Sequence, residues 1–99
     1  MTNTQLAAAA ARTLGTLRTT VPLVQAITNY VTINDVANSL LCLGASPAMV
    51  EAKNEAATFA GIAGALYVNV GTLTAEQGQA VPRALSVARA RGIPAVLDP

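Results

Sequence analysis

The chain has 99 residues, 53% hydrophobic and only 11% charged; that allows one domain with a core of Val, Ile, Leu and Ala, and more apolar surface than so small a body can hide. Net charge is +1 and the six cations, Arg12, Arg18, Lys53, Arg83, Arg89 and Arg91, are dispersed, so no patch for nucleic acid is present. With no histidine and the single cysteine Cys42, zinc sites built on imidazole, Ser-His-Asp chemistry and an internal disulfide are excluded.

The N-terminus lacks the positive start of a signal peptide, and the Ala7–Ala11 tract is too short to span a bilayer. A cytoplasmic protein without membrane contact is the expectation. Residues 4–18 favour helix through alanine propensity, with Leu6, Ala9, Ala10, Leu14 and Leu17 as a weak apolar stripe and Gly15 blurring its end. Pro22 then opens the apolar run Leu23–Ile27, which reads as a buried strand with Thr28 and Asn29 at its carboxyl end. Ile33, Val36, Ala37, Leu40 and Leu41 follow at helical spacing. Thr32 is placed to cap this second helix, and Gly44 to end it. Cys42 falls on the same helix and is expected to be a buried packing thiol.

Ala45 to Val50 reads as a turn entering a short strand, and a helix near residues 54–63 sets Ala56, Phe59, Ala60 and Ala63 on one face before Gly64. Leu66–Val70 is the third strand, ended by Gly71-Thr72. Thr74 and Gln77 match a capping box that opens a helix reaching Arg91, with Pro82 predicting either a kink or a later start. Gly92 stops that helix, and Ala95–Leu97 forms a fourth strand ending on Asp98. The alternation predicts an α/β fold: a parallel sheet of about four strands with helices on both faces. The fourth strand runs into the chain end without a helix to cover it, so a truncated sheet is expected.

In a parallel sheet all strand ends with polar turns share one edge, here Thr28-Asn29, Ser46 to Met49, Asn69 to Thr72, and Asp98. Each is also explained as an ordinary strand-to-helix turn. Asn29 can donate to and accept from a heteroaromatic ligand, and Met49 can offer a polarisable wall to a flat ring. Gly71-Thr72 can offer amides to an anion, although no glycine-rich phosphate loop is present. Asp98, the only carboxylate at a predicted strand end, can serve Mg²⁺ as a hard oxygen ligand or simply form an Asp-Pro turn.

Pro22 through Val31, Ala37 through Leu41, Gly44 through Met49, Val68 through Leu73 and Gly92 through Pro99 together resemble the start of the hydroxyethylthiazole kinase family, of the ribokinase-like superfamily. The pairing of Ile27-Thr28-Asn29 with Gly44-Ala45-Ser46-Pro47-Ala48-Met49 is its most specific part. The resemblance implies ATP-dependent phosphorylation of 4-methyl-5-(2-hydroxyethyl)thiazole, in thiamine biosynthesis or salvage, with Mg²⁺ and in a homo-trimer with thiazole sites between subunits. It matches Met49 and Asn29 to the substrate pocket and Asp98 to the approach to the metal region, and it leaves Gln25 without an assigned role. The family's nucleotide-contacting and catalytic residues lie beyond position 99. Residues 1–99 are therefore expected to be the N-terminal part of one kinase domain, inactive alone, with a non-catalytic thiazole-binding or regulatory module as the alternative.

Overall fold

The computed structural model describes residues 1–99. Eight elements alternate along the chain: α1 (Asn3–Thr20), β1 (Leu23–Ile27), α2 (Ile33–Leu43), β2 (Ser46–Ala48), α3 (Ala56–Ala60), β3 (Ala65–Asn69), α4 (Ala75–Arg91) and β4 (Ala95–Asp98). The four strands form one parallel sheet in the order β2-β1-β3-β4. The α/β class and the strand count match expectation.

Register fixes which residues share a face. Gln25 pairs with Leu66, Ile27 with Val68, Tyr67 with Val96 and Asn69 with Asp98. Leu66, Val68 and Ile27 thus point to the side where α3 and α4 lie, and with Ala56, Ala60, Ala80, Ala84 and Ala88 they make the core. Alanines every fourth residue let these helices approach closely, since nothing larger than a methyl separates them. Only 16 of 99 residues are buried, so this core is thin. On the other face α2 covers the β2–β1 side, while β3 and β4 border an apolar groove of about 430 Å³ lined by Val36, Leu40, Tyr67, Pro94 and Val96. No helix of the chain is long and apolar enough to cross a membrane.

Several local details differ from the sequence reading. α1 passes straight through Gly15, starts with a capping box in which Thr2 and Gln5 satisfy each other's backbone N–H, and ends at Val21 in the left-handed region, φ 46°. None of its residues is buried, and it meets the rest of the fold chiefly through α2. At that contact Gly44, φ 102°, lies so near Arg18 that an added Cβ would come within 2.8 Å of the arginine Cγ. α3 is only five residues long. Two of its flanking carbonyls, Ala60 O and Ala63 O, accept from Arg91, which holds the segment without further helix. α4 begins at its Thr74–Gln77 capping box and continues past Pro82. Pro82 and Gly78, whose carbonyl loses its helical donor there, are both exposed, so water can take that carbonyl.

Cys42 is a correction. It is exposed, as are Leu41 (58%) and Leu43 (45%). The sheet takes Val36 and Leu40 on one side of α2, and Cys42, about 200° further round the helix from Leu40, points away.

Candidate functional site at the carboxyl ends of the strands

Parallel pairing brings the ends of β1, β3 and β4 side by side, and a continuous hydrogen-bonded run crosses them. Asn29, 8% exposed, donates from Nδ2 to Asn69 Oδ1 at 2.9 Å. Asn69 Oδ1 also accepts from the Gly71 amide at 2.9 Å. Asn69 Nδ2 then donates to Asp98 Oδ2 at 3.4 Å, and the Tyr67 hydroxyl donates to the same oxygen at 2.9 Å. At the far end Asn29 Oδ1 accepts from both the amide and the hydroxyl of Thr32, at 2.9 and 3.0 Å. Thr32 therefore makes no side-chain cap of its own. Asn29 anchors the entry to α2 instead.

A second network binds the loops. The buried Gln77 donates from Nε2 to Thr28 O and to Glu51 Oε2, both at 2.8 Å, while its Oε1 accepts from the Thr74 amide. Glu51 Oε1 accepts from the Tyr30 hydroxyl at 2.7 Å. That bond, followed by partial desolvation and the negative charge of Glu51, holds the Tyr30 phenol above its ordinary pKa. The Tyr30 amide donates to Thr72 Oγ1 at 2.9 Å. The loops after β1, β2 and β3 are thereby joined.

Asn29, Asn69 and Asp98 come together in one run. Met49 is half-buried just past β2, one strand beyond Asn29, in the segment that leads to Glu51. Gln25, fully buried on β1, donates to Val50 O at 3.1 Å and Ala56 O at 3.2 Å, so it fixes the backbone beside Met49. Its Oε1 is buried without a partner. Of the Gly71-Thr72 amides, candidates for an anion, that of Gly71 is engaged by Asn69 Oδ1. Tyr67, Tyr30, Glu51 and the long reach of Gln77 were not singled out from sequence. Period-two alternation in β3 does put Tyr67 and Asn69 on one face, and that signal could have found the partner of Asp98.

Chemically, the run leaves two free capacities. Both Asn29 Oδ1 and Asn69 Oδ1 already accept two donors, so Asn29 can offer a ligand one N–H and no carbonyl lone pair in the plane. Asp98 keeps Oδ1 free. No group of three or more His, Cys, Asp or Glu is placed to hold a metal, so any cation here would have Asp98 as one ligand among others from substrate or water.

The Hydroxyethylthiazole kinase family model matches residues 14–99. The chain is 54% identical over 88 residues to a hydroxyethylthiazole kinase of Desulfitobacterium hafniense, covering 89% of this chain and 33% of that protein. It is 56% identical over 78 residues to one from Clostridium novyi, covering 79% and 29%. Among solved structures, that of the hydroxyethylthiazole kinase protein from Pyrococcus horikoshii superposes with a TM-score of 0.80 at 40% identity, over 85% of this chain and 33% of that one. The chain thus spans about a third of the length of the relatives it matches.

Proposed function

The chain belongs to the hydroxyethylthiazole kinase family, and from that premise we propose that it carries the thiazole-binding part of a kinase that moves phosphate from ATP to the hydroxyl of 4-methyl-5-(2-hydroxyethyl)thiazole in thiamine metabolism. On this reading residues 1–99 form the N-terminal part of one ribokinase-like domain that works in the cytoplasm as a homo-trimer. The observation that carries the proposal is the run Asn29–Asn69–Asp98, which sets a ligand donor and a free carboxylate oxygen on the strand ends either side of β3. Ligands of open α/β sheets bind at that edge.

Asn29 donates to an acceptor on the thiazole ring or its side chain, and Met49 packs against the flat ring through its thioether. Asp98 Oδ1 is one hard ligand for Mg²⁺, which when bound would offset charge on the transferring phosphates. The fit is to a shared site, in keeping with the absence of any acidic cluster. Holding the ring fixed while phosphate approaches is the contribution this part makes to rate.

The test is a chimera in which residues 1–99 replace the matching third of the Desulfitobacterium hafniense enzyme. It should phosphorylate hydroxyethylthiazole with ATP, whereas residues 1–99 alone should not. In the chimera Met49→Ala should raise the thiazole KM about tenfold with little change in kcat, because ring contact is equal in ground and transition states. Asp98→Asn should lower kcat and weaken the response to magnesium while leaving KM nearly intact. A folded chimera without turnover, or kinetics untouched by both substitutions, would reject the proposal.

A further inference from the structure

We infer that Asn69 is a positioning residue that bridges Asn29 and Asp98, accepting from the one and donating to the other, and so couples ring binding to the carboxylate. The inference rests on the thiazole-kinase reading for its functional consequence, but not for its geometry. Asn69 Oδ1 is filled by two donors, Asn29 Nδ2 and the Gly71 amide, both at 2.9 Å. Its Nδ2 has no choice but to face β4, where Asp98 Oδ2 lies at 3.4 Å and the Tyr67 hydroxyl at 3.5 Å. Asn29 is fixed in the same way, since Thr32 supplies two donors to its Oδ1. The orientations of both carboxamides are therefore dictated by partners of known polarity, and reversing either would set donor against donor.

A second observation points to the same hub. Gly71 has an ordinary backbone conformation, yet a Cβ there would meet Asn69 Oδ1 at 3.1 Å, Asn29 Nδ2 at 3.4 Å and Asn29 Cβ at 3.5 Å. The bare glycine leaves room directly over the Asn29–Asn69 bond. A side chain at position 71 crowds the hub first.

The consequence is a specific ligand chemistry. Asn29 presents a donor and never an acceptor, so the group it recognises must carry a lone pair, such as a ring nitrogen or an ether-like or hydroxyl oxygen. Asn69→Ala removes the acceptor of Asn29 Nδ2, leaving Thr32 alone to hold that carboxamide, and takes from Asp98 one of its two β3 donors, the Tyr67 hydroxyl remaining. Asn69→Asp keeps an acceptor for Asn29 and Gly71 but replaces the donor towards Asp98 with a second anion.

Exchange of the Asn29 side-chain amide protons, followed by NMR in the 15N-labelled 99-residue chain, tests the geometry by itself. The proton bonded to Asn69 Oδ1 should exchange at least tenfold faster in Asn69→Ala than in the parent, with the Val68 and Ala80 backbone amides unchanged. Free exchange in the parent, or a change under twofold, overturns the inference. In the chimera, Asn69→Ala should raise the thiazole KM about tenfold and lower kcat, and Asn69→Asp should recover KM but not kcat. Kinetics within twofold of the parent for both variants, in a chimera where Met49→Ala and Asp98→Asn have their effects, overturn the coupling. If those two variants are also silent, the thiazole-kinase reading falls, and the amide exchange still reports on Asn69.

Discussion

Val21 is the one residue other than glycine with positive φ, and it is β-branched, the side-chain type least suited to that region. Holding it there costs about 1–3 kcal/mol. Its side chain is 54% exposed, so little packing is lost on replacement, and Asn tolerates the left-handed region at lower cost. Val21→Asn should stabilise the fold by about 1 kcal/mol, read as a higher denaturant midpoint; no change would mean the strain is relieved elsewhere. At Tyr30 the folded state favours the protonated phenol through Glu51. Its pKa is raised on folding, so the stabilisation is complete below the ordinary tyrosine value of about 10 and is lost as pH rises through the raised one. Phenolate absorbance in a Tyr67→Phe background should titrate above that ordinary value, and adding Glu51→Gln should bring it down. The places of Asn29, Met49 and Asp98 at or just past strand ends were legible because strand ends are marked by local composition. Glu51 and Tyr30 were not, for their bond joins residues 21 apart in the chain and depends on which loops become neighbours.

Within α4 the same substitution should have opposite signs at two glycines. Gly78 is exposed, has helical geometry and has open space where a Cβ would sit, so Gly78→Ala removes unfolded-state freedom at no steric cost and should stabilise by about 0.5–1 kcal/mol. Gly92 also faces open space, but it caps the helix at φ 69°. Gly92→Ala should destabilise by about 1 kcal/mol despite the room available. Paired urea titrations check both, and like signs would contradict the account. The capping box of α4 was readable from Thr74 and Gln77 alone, as was the left-handed end of α2 at Gly44. The extent of α1 was not, because Gly15 weakens a helix without ending it when alanines surround it. Nor was the shortness of α3, where Arg91 replaces helical hydrogen bonds that sequence pattern assumes.

For the molecule as a whole, the parallel class followed from the alternation of apolar runs and helices, but the order β2-β1-β3-β4 did not. Local periodicity says nothing about which strand lies in the middle, and that choice brings Asn29 and Asn69, forty residues apart, into contact. It also makes β1 and β3 the best-covered strands and leaves β4 exposed along its length. The contacts are graded outward from this pair. The radius of gyration, 14.0 Å, exceeds the roughly 13 Å expected for a compact chain of this length, as suits a helix lying on the outside. α1 buries no residue fully and leans chiefly on α2, so its departure uncovers little apolar surface beyond the half-buried Leu14 and Leu17 and is opposed largely by its own backbone hydrogen bonds. Opening of α1 is then a helix–coil event on a sub-microsecond to microsecond scale, distinct from global unfolding. Hydrogen exchange should accordingly show the α1 amides opening before those of β1 and β3, with the carboxyl edge of the sheet intact.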